Sequence, residues 1–178
     1  MLERTRFIND LIKNNGYDSY LEIGYGSGVN FKDIKCKRKV SVDPFENYAD
    51  YVCTSDDFFK ANKKKFDIIF VDGLHLCEQV LKDVKNSFKV LKPNGKIVIH
   101  DCYPEKEERQ NRIRTTSNWQ GDVWKAIVQL AKDGYCMRLY DIETGIVVIP
   151  DGQVIQAVPD GELDWGWYIK HYKRMLCE

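Results

Sequence analysis

Apolar residues recur along this chain with two different periods. Leu2, Phe7, Ile8, Leu11 and Ile12 fall at helical spacing and predict a helix from Leu2 to Lys13. It stops at Asn14-Asn15-Gly16, so residues 1–15 read as an N-terminal helical segment. Ser19 to Ile23 reads as a strand, Gly28 to Ile34 as a short helix and Lys39–Val42 as a second strand ending in Asp43-Pro44. Tyr51–Thr54 reads as a third short strand, and Ser55 to Asn62 as a helix with a Ser-x-Asp start.

Phe66-Asp67-Ile68-Ile69-Phe70-Val71 is the most apolar run and ends at Asp72-Gly73. A run of that kind suits a central parallel strand covered on both faces. Leu76, Val80, Leu81, Val84, Phe88 and Leu91 form one stripe and predict a helix from Leu76 to Leu91. Lys92-Pro93-Asn94-Gly95 stops it, and Lys96–Ile99 is the next strand, running into His100-Asp101. Residues 103–120 are polar and patternless, as in a lid-like loop. A helix over Asp122 to Lys132 follows. Cys136–Ile142 and Gly145–Ile149 then make a hairpin, and an aromatic-rich helix spans Asp164 to Cys177.

Strands alternating with helices imply a doubly covered parallel sheet with right-handed crossovers. The expected fold is therefore α/β and Rossmann-like: seven strands, mostly parallel, helices on both faces and an antiparallel C-terminal hairpin. Residues 1–178 are read as a single domain. Ligands of such sheets sit beyond the carboxyl ends of the strands. That rule gathers Gly24–Gly28, Asp43, Ser55–Asp57, Asp72–His75 and His100–Cys102 at one edge.

Composition narrows the function classes. The formal net charge is zero and no long single-sign tail exists, so neither nucleic acid nor an anionic membrane is indicated as a partner. Lys35-Cys36-Lys37-Arg38-Lys39 and Lys63-Lys64-Lys65 read as solvated turns. None of the six cysteines forms a C-x-x-C pair, and no apolar run reaches the length of a membrane span. The chain reads as cytoplasmic with reduced thiols.

The chemistry begins at Tyr20 to Asn30, YLEIGYGSGVN. Glycines at alternate positions let a turn pass close beneath a ligand. Dinucleotide folds use G-x-G-x-x-G, whereas Gly24-x-Gly26-x-Gly28 is followed by Val29. With Glu22 before it, this loop resembles motif I of the class I S-adenosylmethionine-dependent methyltransferases. VDGLHLCEQVLKDVKNSFKVLKPNGKIVIHDCYP, WQGDVWKAIVQL and DIETGIVVI resemble a small group of that class associated with glycan and natural-product biosynthesis. The resemblance covers about residues 17 to 150.

The resemblance implies S-adenosylmethionine as methyl donor, held by Glu22, Gly24, Gly26, Gly28, Asp43, Asp56 and Asp72. Asp43 would take the ribose hydroxyls and Asp56 the adenine amine. It implies O-methylation of a small glycan or natural-product acceptor. An NAD-type oxidoreductase and a non-catalytic binding module of the same fold are the alternatives, because an acid that binds ribose serves NAD equally well.

An alcohol acceptor must lose a proton to a base or a metal. Asp72, His75, His100 and Asp101 are candidates for either role. In the base reading, His75 or His100 takes the proton and Asp72 or Asp101 orients it. In the metal reading, Asp72 and Asp101 match the first two ligand positions of metal-dependent O-methyltransferases. Cys102 stands where a hard oxygen ligand is expected, so a divalent metal would need a histidine as a further ligand.

Plainer roles stand beside these. Asp72 would serve as N-cap of the following helix and Asp122 as N-cap of its own. Trp119 or Trp124 is a candidate to cover substrate, and Arg109, Arg112 and Arg114 are candidates to clamp an anion from a solvated loop. Trp165, Trp167, Tyr168 and Tyr172 would form core, a homodimer face or a sugar-stacking platform.

Overall fold

The order of strands decides where a ligand can sit. In a computed structural model that describes residues 1–155, 157–172 and 174–175, one six-stranded sheet runs β2-β1-β3-β4-β6-β5. The strands are β1 (Ser19–Ile23), β2 (Arg38–Val42), β3 (Phe66–Val71), β4 (Leu91–Ile99), β5 (Cys136–Tyr140) and β6 (Ile146–Val154). β2, β1, β3 and β4 are parallel. β6 runs antiparallel to β4 and to β5. The chain leaves β1 for β2 on one side and returns to β3 on the other, so the crevice opens between the ends of β1 and β3.

Alternation along the strands sends residues to two faces. Leu21, Ile23, Ile69, Val71, Ile97 and Ile99 face one core. There they meet α3 (Ser55–Ala61), α4 (Cys77–Val90) and α5 (Val123–Lys132). Tyr20, Ile68, Phe70 and Val98 face the other, covered by α1 (Glu3–Asn15) and α2 (Val29–Asp33). Among the described residues, no helix is long and apolar enough to cross a membrane. Cys36, Cys53, Cys77, Cys102 and Cys136 are free thiols.

The seventh strand, expected over Tyr51–Thr54, reduces to one bridge between Val42 and Tyr51. Its end is drawn away into α3, where the Thr54 hydroxyl accepts from the Asp57 amide and caps the helix. The stop at Lys92–Gly95 becomes a bulge inside β4. Leu91 pairs with Phe66, and pairing resumes with Lys96 opposite Ile68. Lys92 tethers the bulge through Asp18 at 3.0 Å and Asp67 at 2.9 Å.

The expected helix over 164–177 is one turn, α6 (Trp165–Trp167), that continues as a π-helical turn over Tyr168–Tyr172. Cys177 lies outside the described residues. Trp167, Tyr168 and Tyr172 turn inward onto Trp124, with ring centroids 5.0–6.0 Å away. Ile169 is left as an exposed apolar residue of the segment.

Candidate active site

Two clefts open at the carboxyl edge of the sheet, and Asp72 and Gly73 line both. The first has a volume of about 480 Å³ and lies between β1, β2 and α4. Ile23, Val42, Phe45 and Leu74 supply its apolar walls; Asp43, Asp56, Gln79 and Asp83 supply its polar groups. Its size and few converging polar groups suit a small organic ligand.

Gly24 lets this cleft form. Its φ is +94°, and a Cβ there would stand 2.0 Å from the Asp72 carbonyl oxygen. The turn after β1 thus lies directly against the turn after β3. Asp43 holds the same turn from the other side. Its carboxylate accepts from the amides of Tyr25 (3.0 Å) and Gly26 (3.2 Å), and from those of Phe45 (2.9 Å) and Glu46 (3.2 Å).

Of the residues expected to bind the donor, Gly24, Asp43, Asp56 and Asp72 line this cleft; Glu22, Gly26 and Gly28 do not. Glu22 is buried under the loop. It accepts from the Tyr20 hydroxyl and, at 2.8 Å, from Asn30 Nδ2, while Thr5 donates to Asn30 at 2.7 Å. Burial pushes the Glu22 carboxyl up to about 7, against the pull of those two hydrogen bonds. Glu22 therefore ties α1 and α2 to β1 from beneath.

Asp56 hydrogen-bonds Gln79 and pairs with Lys82 at 2.6 Å. Asp83 was not anticipated. It is an acid on the buried stripe of α4, between Val80 and Ser87, and burial pushes it up to about 6. A carboxylate within an apolar stripe is the signal that could have found it.

The second cleft, of about 440 Å³, is polar. His75, His100, Asp72 and Asp101 form its floor with Glu143 and Thr144, while Arg4, Arg114, Ser117, Asn118 and Trp119 form its sides. All four residues expected to be catalytic thus meet here.

His100 has carboxylates at both ring nitrogens. Nδ1 lies 3.1 Å from Asp72 Oδ1 and Nε2 lies 3.4 Å from Glu143 Oε2. Burial alone would lower its pKa. The Asp72 charge and hydrogen bond, then Glu143 and Asp101, outweigh that and push it up to about 10. His100 is therefore an imidazolium at neutral pH. Asp72 is held well below the usual carboxylate range by His100 and His75, against the opposing effect of burial.

His75 is held differently. Its Nδ1 lies 3.2 Å from the Trp119 carbonyl and 3.3 Å from Asp101 Oδ2, and its Nε2 lies 3.4 Å from Asp72 Oδ1. Burial opposes the shift, but Asp72 and Asp101 raise its pKa. Asp101, at φ +57°, accepts from the Thr144 hydroxyl; burial raises its pKa.

Trp119, Gly121 and Asp122, which end the polar loop, fix His75. Trp119 stacks on its ring with centroids 5.2 Å apart, and the Asp122 amide donates to its carbonyl. Gly121, at φ +60°, passes so close that a Cβ would stand 1.8 Å from the His75 carbonyl oxygen. Asp122 does not cap its own helix; its Oδ1 accepts from the Cys77 amide at the start of α4. Asp72, the other expected cap, makes no such bond, and Leu76 occupies the cap position. Trp124 is fully buried in the core, so Trp119 alone of the two faces the cleft.

Asp72, His75 and Asp101 each offer one ligand atom, and these lie within 4.8 Å of one another. An imidazole beside two carboxylates suits a softer divalent ion better than Mg²⁺. Cys102 takes no part: it is buried, and its Sγ faces the Ile99 carbonyl at 3.3 Å. Arg4 and Glu143, a pair joined across 139 residues, carry no sequence signal.

Comparison with known proteins agrees with this fold. A family model described as a methyltransferase domain matches residues 39–102. No curated protein sequence matches the chain. A proposed caffeoyl-CoA O-methyltransferase from Staphylococcus aureus superposes with a TM-score of 0.63 at 19% identity, over 82% of this chain and 81% of that one. The fold is that of a class I methyltransferase. TomG, an O-methyltransferase from Streptomyces achromogenes involved in tomaymycin synthesis and solved with S-adenosylmethionine, shares the methyltransferase fold at a TM-score of 0.60. Identity is 13%, over 82% of this chain and 78% of that one. MycE, from the mycinamycin biosynthetic pathway and solved with Mg, S-adenosylhomocysteine and mycinamycin VI, shares it at 0.54. Identity is 14%, over 88% of this chain and 51% of that one.

Proposed function

We propose that this protein is an S-adenosylmethionine-dependent O-methyltransferase acting on a small hydroxylated acceptor of glycan or natural-product type. One observation carries the reading: a mainly apolar cleft and a polar, histidine-floored cleft meet at Asp72-Gly73. A methyl donor in the first and a hydroxyl in the second would face each other across that wall.

The donor supplies a methyl group on a sulfonium. Phe45 and Leu74 line the cleft where its base would lie, and Asp56 and Asp83 would offer acceptors to the adenine amine. Asp43 takes the ribose hydroxyls by exchanging some of its amide bonds. His75 removes the acceptor proton as the carbon–oxygen bond forms and the carbon–sulfur bond breaks. Asp72 and Asp101 beside it raise its pKa, which strengthens the imidazole as a proton acceptor. His100 already carries its proton, and it holds Asp72 in place rather than acting as base.

An NAD-type reaction is less well supported. Amides that would cradle a pyrophosphate, those of Tyr25 and Gly26, point at Asp43. A second reading of the proton removal rests on the convergence of Asp72, His75 and Asp101. Held by these three, a divalent metal supplies Lewis acidity toward the acceptor hydroxyl.

Calorimetry tests the donor assignment: S-adenosylhomocysteine should bind and NADH should not, and the reverse result sinks it. Chelation separates the two proton routes. Methyl transfer that survives EDTA leaves His75 as base; transfer that is lost and then restored by Mn²⁺ makes His75 a ligand.

A further inference from the structure

The polar loop over residues 103–120 carries three arginines, and two of them are occupied. Arg109 pairs with Glu105 at 2.5 Å, and Arg112 pairs with Glu78 at 2.5 Å and Asp122 at 2.7 Å. Arg114 lines the polar cleft and has no hydrogen bond or ion pair among the described residues. Arg4 lines the same cleft from α1. Its Nη1 is bonded to Glu143, but its Nε is buried and has no partner. A buried N–H left unpaired is unfavourable unless a ligand or water fills it.

The acids of the floor do not account for these donors. Asp72 is engaged by His75 and His100, Asp101 by Thr144 and His75, and Glu143 by Arg4 and His100. Arg114, a guanidinium fork with no ion pair among the described residues, lines the cleft together with the Arg4 guanidinium, and such a donor set matches anionic oxygens. A neutral polyol would leave Arg114 without use.

We propose that the acceptor is an acid: a hydroxylated compound carrying a carboxylate or phosphate group. Its anionic oxygens are taken by the Arg114 fork, with the Arg4 guanidinium in the same wall adding positive charge, which brings its hydroxyl to His75. This rests on the methyltransferase reading for the role of the cleft, and extends it by fixing the charge of the substrate.

The test uses the full chain saturated with S-adenosylhomocysteine and pairs of probes that differ in charge. These are 3,4-dihydroxybenzoate against catechol, glucuronate against glucose, and glucose 6-phosphate against glucose. Calorimetry should show an anionic member binding about tenfold or more tighter than its neutral partner. The carboxylate and phosphate pairs tell the two anions apart. Arg114→Ala should bring that preference to within about twofold, and Arg114→Lys should keep part of it, because the charge remains while the fork is lost. Arg114 is exposed, so the variant should melt at the wild-type temperature and bind S-adenosylhomocysteine with wild-type affinity.

Equal binding of charged and neutral members overturns the proposal. So does failure of every anionic member to bind, or a preference that survives Arg114→Ala. Failure of S-adenosylhomocysteine to bind the wild type strikes the donor assignment instead, and the anion preference can still be measured on the unliganded chain.

Discussion

The two clefts that meet at Asp72 are assembled by different means. The mainly apolar cleft, proposed to hold the donor, is built from the turns that follow β1, β2 and β3 and from the adjoining helices α3 and α4, so its residues lie close to the sheet. The polar cleft, proposed to hold the acceptor, draws on α1, the 103–120 loop and the turn between β5 and β6; Arg4 and Glu143 meet across 139 residues. Apolar walls and backbone contacts shape the first, while a network of charges shapes the second. A parallel sheet supplies a donor site almost by topology. Binding an acceptor requires that remote segments be pinned onto it.

The largest effects should come from the two glycines that hold each cleft against its neighbour. Gly24→Ala sets a Cβ against the Asp72 carbonyl at positive φ, and Gly121→Ala does the same against His75. Each should cost about 1–3 kcal/mol in backbone strain, with steric clash added to that. Their functions should split: Gly24→Ala abolishes S-adenosylhomocysteine binding in calorimetry, whereas Gly121→Ala retains it and loses turnover. Loss of donor binding in both would mean that the clefts are one unit.

A catalytic contrast comes next. His75→Ala should reduce kcat by about 10²–10⁴ while leaving donor affinity within about twofold. His100→Ala should disturb both clefts, because Asp72 then loses the partner 3.1 Å away and Asp72 lines both. Equal turnover in His75→Ala and wild type would remove His75 from the chemistry.

The buried network beneath the donor loop gives a pH signature. Glu22 stays protonated up to about 7 in the folded chain, above its ordinary 4.5. The folded state therefore holds a proton that the unfolded chain has released. Its contribution is greatest below pH 4.5 and is lost as pH rises through about 7, at a cost of about 3 kcal/mol at most. Urea unfolding of Glu22→Gln should lack this decline between pH 5 and 7.5. A slope identical to that of wild type would place the titration elsewhere.

The smallest expected effect is at the rim. Thr54→Ala removes the cap of α3 and should cost about 1 kcal/mol of stability. Donor affinity should fall slightly and acceptor affinity should not change, which a comparison of binding isotherms would read.

The same division governs how much the sequence discloses. β1, β3 and α4 are legible because Phe66–Val71 and the stripe over Leu76–Leu91 carry strong, unambiguous periods. The gathering of Asp72, His75, His100 and Asp101 follows from strand order. The third strand misleads because Tyr51–Thr54 has strand-like residues, yet Thr54 is claimed by a helix cap. Glu22 resembles a ligand acid but is an internal one, since alternation along β1 places it with Tyr20 under the loop. Arg4, Glu143 and Gly121 are invisible, because each acts through a partner that only the folded chain brings near.

One turn of α1 carries Arg4 and Thr5 side by side. Arg4 reaches Glu143 at the acceptor cleft, and Thr5 reaches Asn30 beneath the donor loop. Any polypeptide joined ahead of Met1 would meet the fold three residues before Arg4 and four before Thr5. An affinity handle fused there is therefore expected to disturb both clefts, and kinetic constants for this protein should be measured after such a handle has been cut away.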